Sequence, residues 1–200
     1  MIRVEKRGEE RLLNIHDFEA LTGAAFIPVL DFDGPRVRED IMERTKKMHK
    51  KGELLTEQLW LGCYFKKEVE SLFFPDLTIR WIDDAIGWGV FTNRAFKKME
   101  YITEHSGKVR KRERRDKKNA YCFEYCIASH IATPYTIDAQ DQGGFGRFIN
   151  HSSTPNLLSS LATIDSIEHV ILVTDRAIEK GVELTFDYGP DYWAHRSKPR

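Results

Sequence analysis

Only three cysteines occur in 200 residues, Cys63, Cys122 and Cys126, and no two of them stand as Cys-x-x-Cys. That scarcity excludes a disulfide framework and a structural zinc cluster, points to a reducing compartment, and leaves Cys122 and Cys126 as strand-packing residues. Charge of one sign is missing too. Lys plus Arg and Asp plus Glu number 31 each, so no net field draws the whole molecule to DNA or to an anionic membrane. Long apolar runs are absent: Ala24–Leu30 and His169–Val173 are too short to cross a bilayer, and the opening MIRVEKRGEE has no secretory-type apolar stretch. A soluble chain is expected, cytoplasmic in the cell that makes it. No internal repeat or low-complexity linker interrupts the sequence, and 41% hydrophobic residues suffice for one core, or one core with a small appendage.

The texture changes once. Before Pro75, Ala25 to Phe32 is expected to be a short strand ending at the Asp33-Gly34-Pro35 turn. Val37, Ile41 and Met48 then recur at helical spacing up to Gly52. Thr56 is expected to cap a second helix that runs to about Ser71, with Leu59 and Cys63 on one face. Residues 1–76 are therefore read as a mostly helical appendage, which could simply cover an open sheet edge. After Pro75 come short β-branched and aromatic segments: Thr78–Ile82, Gly89–Phe91, Tyr101–Thr103, Tyr121–Ile127, Tyr135–Ile137, His169–Val173 and Glu183–Phe186. They predict a mainly β domain over 77–193 and exclude βαβ repeats. A polar tail, 194–200, follows.

Gly87-Trp88-Gly89-Val90 alone signals little more than a turn and is not a dinucleotide fingerprint, which needs a third glycine and a long helix. Its company carries the signal. Arg147-Phe148-Ile149-Asn150-His151-Ser152 with Asn156, then Glu183-Leu184-Thr185-Phe186-Asp187-Tyr188-Gly189, follow in that order. Together the three motifs resemble the SET-domain protein lysine methyltransferases over about 115 residues. The resemblance implies small curled sheets with a knot-like C-terminal crossing. It also implies methyl transfer from S-adenosylmethionine, leaving S-adenosylhomocysteine, to a lysine of a histone or histone-like protein, without a metal.

On that likeness Gly87, Trp88 and Gly89 approach the methionine end of the cofactor, because small residues let backbone groups come close. Asn150 and His151 hold its amine and adenine, with Arg147 and Phe148 beside them. Read without the likeness, Asn150 turns the chain and His151 is a satisfied buried histidine. Tyr188 is the expected catalytic residue: a phenol with a pKa near 10 is a poor base, so its role is to aim a hydroxyl and a ring at the reacting centre. Tyr121 is the second wall of the lysine channel, and Tyr192 and Trp193 are expected over the adenine. Phe186 stands where the family has phenylalanine or tyrosine, and phenylalanine implies di- or trimethylation. No cysteine-rich segment follows, so the tail, the N-terminal part or a second subunit of a homodimer must close the channel. Compact viral and bacterial members, the chlamydial type included, look similar in this respect, and an effector of that kind would act in a host nucleus.

Two features depart from the pattern. Glu104-His105-Ser106-Gly107-Lys108 aligns with the family's Glu-Tyr-x-Gly-Glu, placing Glu104 and His105 at the cofactor but with an imidazole for the phenol and Lys108 for the acid. A basic run follows through Arg110, Lys111, Arg112, Arg114, Arg115, Lys117 and Lys118, relieved by Glu113 and Asp116. On a helix it is either a solvated insert or an electrostatic docking surface for nucleic acid or a DNA-associated protein. These departures motivate a competing reading, a SET-type fold kept as an interaction module without turnover.

Overall fold

The computed structural model describes every residue except 72, 74, 129–130, 195 and 197–200, so most of the tail expected at 194–200 lies outside the described residues. The chain opens with a hairpin, β1 (Ile2–Lys6) and β2 (Glu9–Leu13), followed by α1 (Ile15–Thr22). Strands β3 (Ala25–Phe26) and β4 (Asp31–Phe32) precede α2 (Pro35–Lys51), α3 (Thr56–Tyr64) and α4 (Lys66–Glu70). Then come β5 (Leu77–Asp83), β6 (Gly87–Thr92), β7 (Tyr101–Glu104), β8 (Lys108–Lys111), β9 (Cys122–Ala128), β10 (Ile131–Asp138), β11 (Gln142–Gly143) and β12 (Asn150–His151). The chain closes with β13 (Leu157–Ile164), β14 (Ile167–Thr174), β15 (Glu183–Phe186) and α5 (Pro190–Trp193). These strands make small sheets in the orders β12-β15-β6-β5-β1-β2, β4-β8-β10-β9, β13-β14-β7 and the pair β11-β3. The mainly β character expected after Pro75 is what the chain adopts.

The first 76 residues are more than a helical cover. β1 lies parallel to β5, β3 to β11 and β4 to β8, so this part adds strands to three sheets. Ile2, Val4, Phe18 and Phe26 share one core with Ile79, Val90, Ile102, Leu172 and Leu184. The single strand expected over Ala25–Phe32 is split into two short ones on either side of Pro28, which has no N–H to give a ladder. In α2 the expected stripe is present: Val37, Ile41, Thr45 and Met48 are buried, and Gly52 ends the helix at φ 69°.

Thr56 is the first helical residue of α3 and makes no cap. Gln58 does that work instead, its side-chain oxygen accepting from the Leu55 N–H at 3.1 Å. Leu59 is half-buried and Cys63 exposed, so the two do not share the inner face. The helix is seated by Gly62, where a Cβ would lie 1.9 Å from the Thr163 carbonyl oxygen of β13. The run expected to reach Ser71 breaks at Phe65, and α4 is a separate short helix.

The basic run is no helix either. Its first part is β8, paired with β10 and β4, and Arg114–Lys118 form a 3-10 turn. Arg110 turns inward and donates to Asp116 at 2.7 and 2.9 Å and to Asp138 at 2.6 Å. Asp116 first and then Asp138 raise the Arg110 pKa, and the guanidinium in turn, against the opposing effect of burial, holds Asp116 below the usual carboxylate range. One cation of the run is thereby structural.

Candidate functional site

The site forms where β15 inserts between β12 and β6. β12 runs parallel to β15, Asn150 beside Thr185 and His151 beside Phe186, while β15 runs antiparallel to β6. Asn156 locks this crossing: its side-chain nitrogen donates to the Glu183 carbonyl at 2.7 Å, and its side-chain oxygen accepts from the Thr185 N–H at 2.9 Å. The close approach is possible because residue 89 is glycine. A Cβ there would meet the side chains of Ile82 at 2.7 Å, Glu183 at 2.9 Å and Asn150 at 3.2 Å. Gly87 begins β6 at φ 81°, a backbone few other residues adopt. Trp88 packs edge-on to Trp81 at 5.2 Å, under the Lys6 ammonium.

Asn150 Nδ2 donates to the Trp88 carbonyl at 3.1 Å and to Glu183 Oε1 at 3.0 Å, so it joins the Gly-Trp-Gly strand to the crossing. His151 Nδ1 accepts the Tyr188 backbone N–H at 3.2 Å. That bond assigns the ring proton to Nε2, which is buried and has no partner among the described residues. Trp193, 4.8 Å from the His151 ring, likewise carries a buried Nε1–H with no partner among the described residues. Buried donors are nearly always satisfied in folded proteins, so two orphan N–H groups side by side mark a place for a ligand's acceptors.

Tyr188 sits at the centre of the aromatic cluster, 4.8 Å from Phe186, 4.7 Å from Tyr192, 5.4 Å from His151, and parallel to Trp193 at 6.3 Å. Its hydroxyl donates to the Ile149 carbonyl at 2.8 Å. Burial first, then the neighbouring Tyr192 and Tyr121 phenols, push its pKa well above the usual phenol range, so the hydroxyl stays protonated at neutral pH. Tyr121 is partly exposed and is stacked by the Arg147 guanidinium at 4.8 Å. Phe186 is buried.

Several residues expected at the cofactor are engaged elsewhere. Arg147 donates to the Ala139 and Gln140 carbonyls at 2.9 Å each and lies between the Tyr121 and Phe148 rings. The Phe148 ring is in the core, 5.6 Å from Phe18. Glu104 bonds His169 Nδ1 at 2.7 Å and lines a cavity of about 230 Å³ with Val29, Arg38, Val69 and Ile164. His105, the next residue, turns to the other side, 5.2 Å from Phe123 and 6.5 Å from Phe186. Successive side chains leaving a strand point to opposite faces, which separates the two. Glu183 belongs to the site although its role was not read from the sequence. Its signal was its place at the head of the third motif, one strand away from Asn150.

The Gly-Trp-Gly, Asn-His and Asp-Tyr-Gly segments all lie within residues 87–189, which match the SET domain family. The chain belongs to that family. It is 33% identical over 129 residues to the histone-lysine N-methyltransferase MEDEA of Arabidopsis thaliana, covering 58% of this chain and 18% of that protein. It is 38% identical over 112 residues to the histone-lysine N-methyltransferase Set8 of Drosophila melanogaster, covering 52% and 16%. It is 36% identical over 112 residues to the N-lysine methyltransferase KMT5A-A of Xenopus laevis, covering 52% and 33%. The matched region thus spans at most about a third of each of these relatives.

Proposed function

We propose that this chain is a protein-lysine N-methyltransferase that uses S-adenosylmethionine and reacts at Tyr188. The observation that carries the reading is the aromatic cluster of His151, Tyr188, Tyr192 and Trp193, with two orphan buried N–H groups, beside the Gly87–Gly89 strand. The donor set suits the cofactor, whose adenine and carboxylate supply acceptors for His151 Nε2–H and Trp193 Nε1–H, and whose amine suits the backbone carbonyls near Asn150. When bound, S-adenosylmethionine supplies an electrophilic methyl on a sulfonium. The chain's own residues hold and orient the reactants. Tyr188, fixed by the Ile149 carbonyl, presents its oxygen at the reacting centre. The walls of Phe186, Tyr188 and Trp193 exclude water, which disfavours the charged ammonium and leaves a neutral lysine amine as nucleophile.

The substrate is a histone or histone-like protein, a reading supported by two of the relatives above being named histone-lysine N-methyltransferases. Incubation with methyl-labelled S-adenosylmethionine, core histones and bacterial lysate, followed by peptide mapping, should place label on lysine. Absence of label across that panel overturns the protein-substrate reading. Failure to bind S-adenosylmethionine in calorimetry, with and without histone, favours the interaction module instead. Phe186 offers no hydroxyl to hold the amine or a water, so product extends beyond monomethyllysine. Phe186→Tyr should shift the mass spectrum toward monomethyllysine, and a wild-type protein that halts there despite excess cofactor refutes this part.

A further inference from the structure

On the side of β7 away from the aromatic cluster lies a second polar centre, which methyl transfer leaves unused. The cavity of about 230 Å³ there has apolar walls: Leu30 and Phe32 beside and in β4, Val69 of α4, and Ile164 and Ile167 of the β13–β14 hairpin. Burial puts Glu104 and His169 at its floor. Their side chains are 3% and 15% exposed and are bonded to each other at 2.7 Å. A carboxylate only accepts hydrogen bonds, so His169 Nδ1 is the donor and the neutral ring keeps a lone pair on Nε2. Both residues line the cavity, and Glu104 Oε2 and His169 Nε2 have no hydrogen-bond partner among the described residues. The floor thus presents acceptors and no donor.

Taking a carboxylate out of water is costly unless its oxygens are answered. The pair is not needed to join β7 to β14, because the backbone ladder already does so, with Glu104 beside Ile171. Two apolar side chains would fill the space without that cost. At the mouth stand Arg38, Glu70 and Asp165, all exposed. Lys66 bridges the two carboxylates at 2.9 and 2.7 Å. The acids of the rim are therefore occupied, and Arg38 and Lys66 repel a second positive charge. A cavity of about 150 Å³ takes one benzene ring, so this one holds a ring with a short arm. We propose that the cavity binds a small monovalent organic ammonium, whose N–H groups donate to Glu104 and His169 Nε2 while its apolar body lies against Val69, Ile164 and Ile167. The site is separate from the lysine channel, and the proposal stands whether or not the chain transfers methyl groups.

Benzylamine, protonated at neutral pH, is the probe, with benzyl alcohol as its neutral isostere and benzoate as an anion. In uniformly labelled protein the His169 ring nitrogens are assigned through bonds from the backbone. They should shift on titration with benzylamine with a Kd on the order of 1 mM, as fits a ligand of about eight non-hydrogen atoms. Benzyl alcohol should bind roughly tenfold more weakly or worse, since a hydrogen bond to a charged group is replaced by a neutral one. Benzoate should leave the ring unmoved. The benzylamine shift should persist with excess core histones, and should vanish in Val29→Trp, whose partly exposed place on the cavity wall admits a larger side chain without overpacking the core. No shift with benzylamine, equal binding of benzyl alcohol, a shift with benzoate, displacement by histones, or an undiminished shift in Val29→Trp each overturns the proposal. If that variant does not fold, the wild-type titrations decide alone.

Discussion

Two buried polar clusters in this molecule obey opposite rules. Around Glu168 every group is answered: Gln58 Nε2 donates to the Glu168 carboxylate at 3.0 Å and to the Ile127 carbonyl at 2.9 Å, and Thr163 Oγ1 donates to the same carboxylate. The Tyr125 hydroxyl donates to the Glu168 carbonyl and accepts its N–H, each at 3.0 Å. Around Tyr188 the reverse holds. His105, His151 and Trp193 own four of the six unpartnered buried side-chain atoms among the described residues. The closed cluster fastens α3 to β13 and β14, and the open one is where a ligand can be received.

The comparison breaks most sharply if substitutions in the two clusters do the same thing. Tyr188→Phe should lower methyl transfer about 10²–10³-fold, as loss of a preorganised polar group at a reacting centre does, with S-adenosylhomocysteine affinity nearly unchanged because the ring remains. Wild-type single-turnover rates would remove Tyr188 from the mechanism. Gln58→Ala should do the opposite, costing roughly 2–3 kcal/mol of stability by stranding Glu168 and the Ile127 carbonyl. Denaturant unfolding reads that loss, and an equal loss of cofactor affinity would show that the clusters are one.

The pH dependence separates the clusters by sign. Burial raises the Glu168 pKa to about 7, so the native state binds that proton more tightly than the unfolded chain. Its stabilisation is complete below about pH 4.5 and is lost as pH rises through 7. His105, lowered to about 4, contributes stability above its unfolded value near 6.5 that is lost as pH falls toward 4. Between pH 4.5 and 6.5 the two slopes oppose. His105→Phe should therefore unmask stability that falls with rising pH, and Glu168→Gln stability that rises, each by about 1.4 kcal/mol per pH unit relative to wild type. Slopes of one sign in both variants would refute the assignment. Smallest of all, Asn150→Ala should weaken S-adenosylhomocysteine about fivefold by loosening Trp88 and Glu183, without lowering the unfolding midpoint as far as Gln58→Ala does. Calorimetry showing wild-type affinity would confine Asn150 to a structural role.

Much of the site could be read in advance because its residues sit in three short motifs in a fixed order. Glycine at 89, Asn150, His151 and Tyr188 converge as the resemblance implied, and seven strands fall where β-branched and aromatic runs stand. β13 was missed because Ser159 and Ser160 interrupt its apolar pattern, and β8 because its residues are nearly all basic. Thr56 was mistaken for a cap because capping depends on backbone geometry as well as residue type.

The sequence by itself determined the strand-rich half, the α2 stripe, the family and the order of its motifs, since each is written in neighbouring residues. Only the tertiary structure decided that β1 completes the sheet of β5, that Arg147 is spent on two carbonyls, and that Glu104 and His105 part company across β7. Pairing between distant strands and the satisfaction of a polar atom depend on which other chain segments arrive beside it. A buried nitrogen without a partner leaves no trace in composition or periodicity, because whether it is paired is fixed by packing alone.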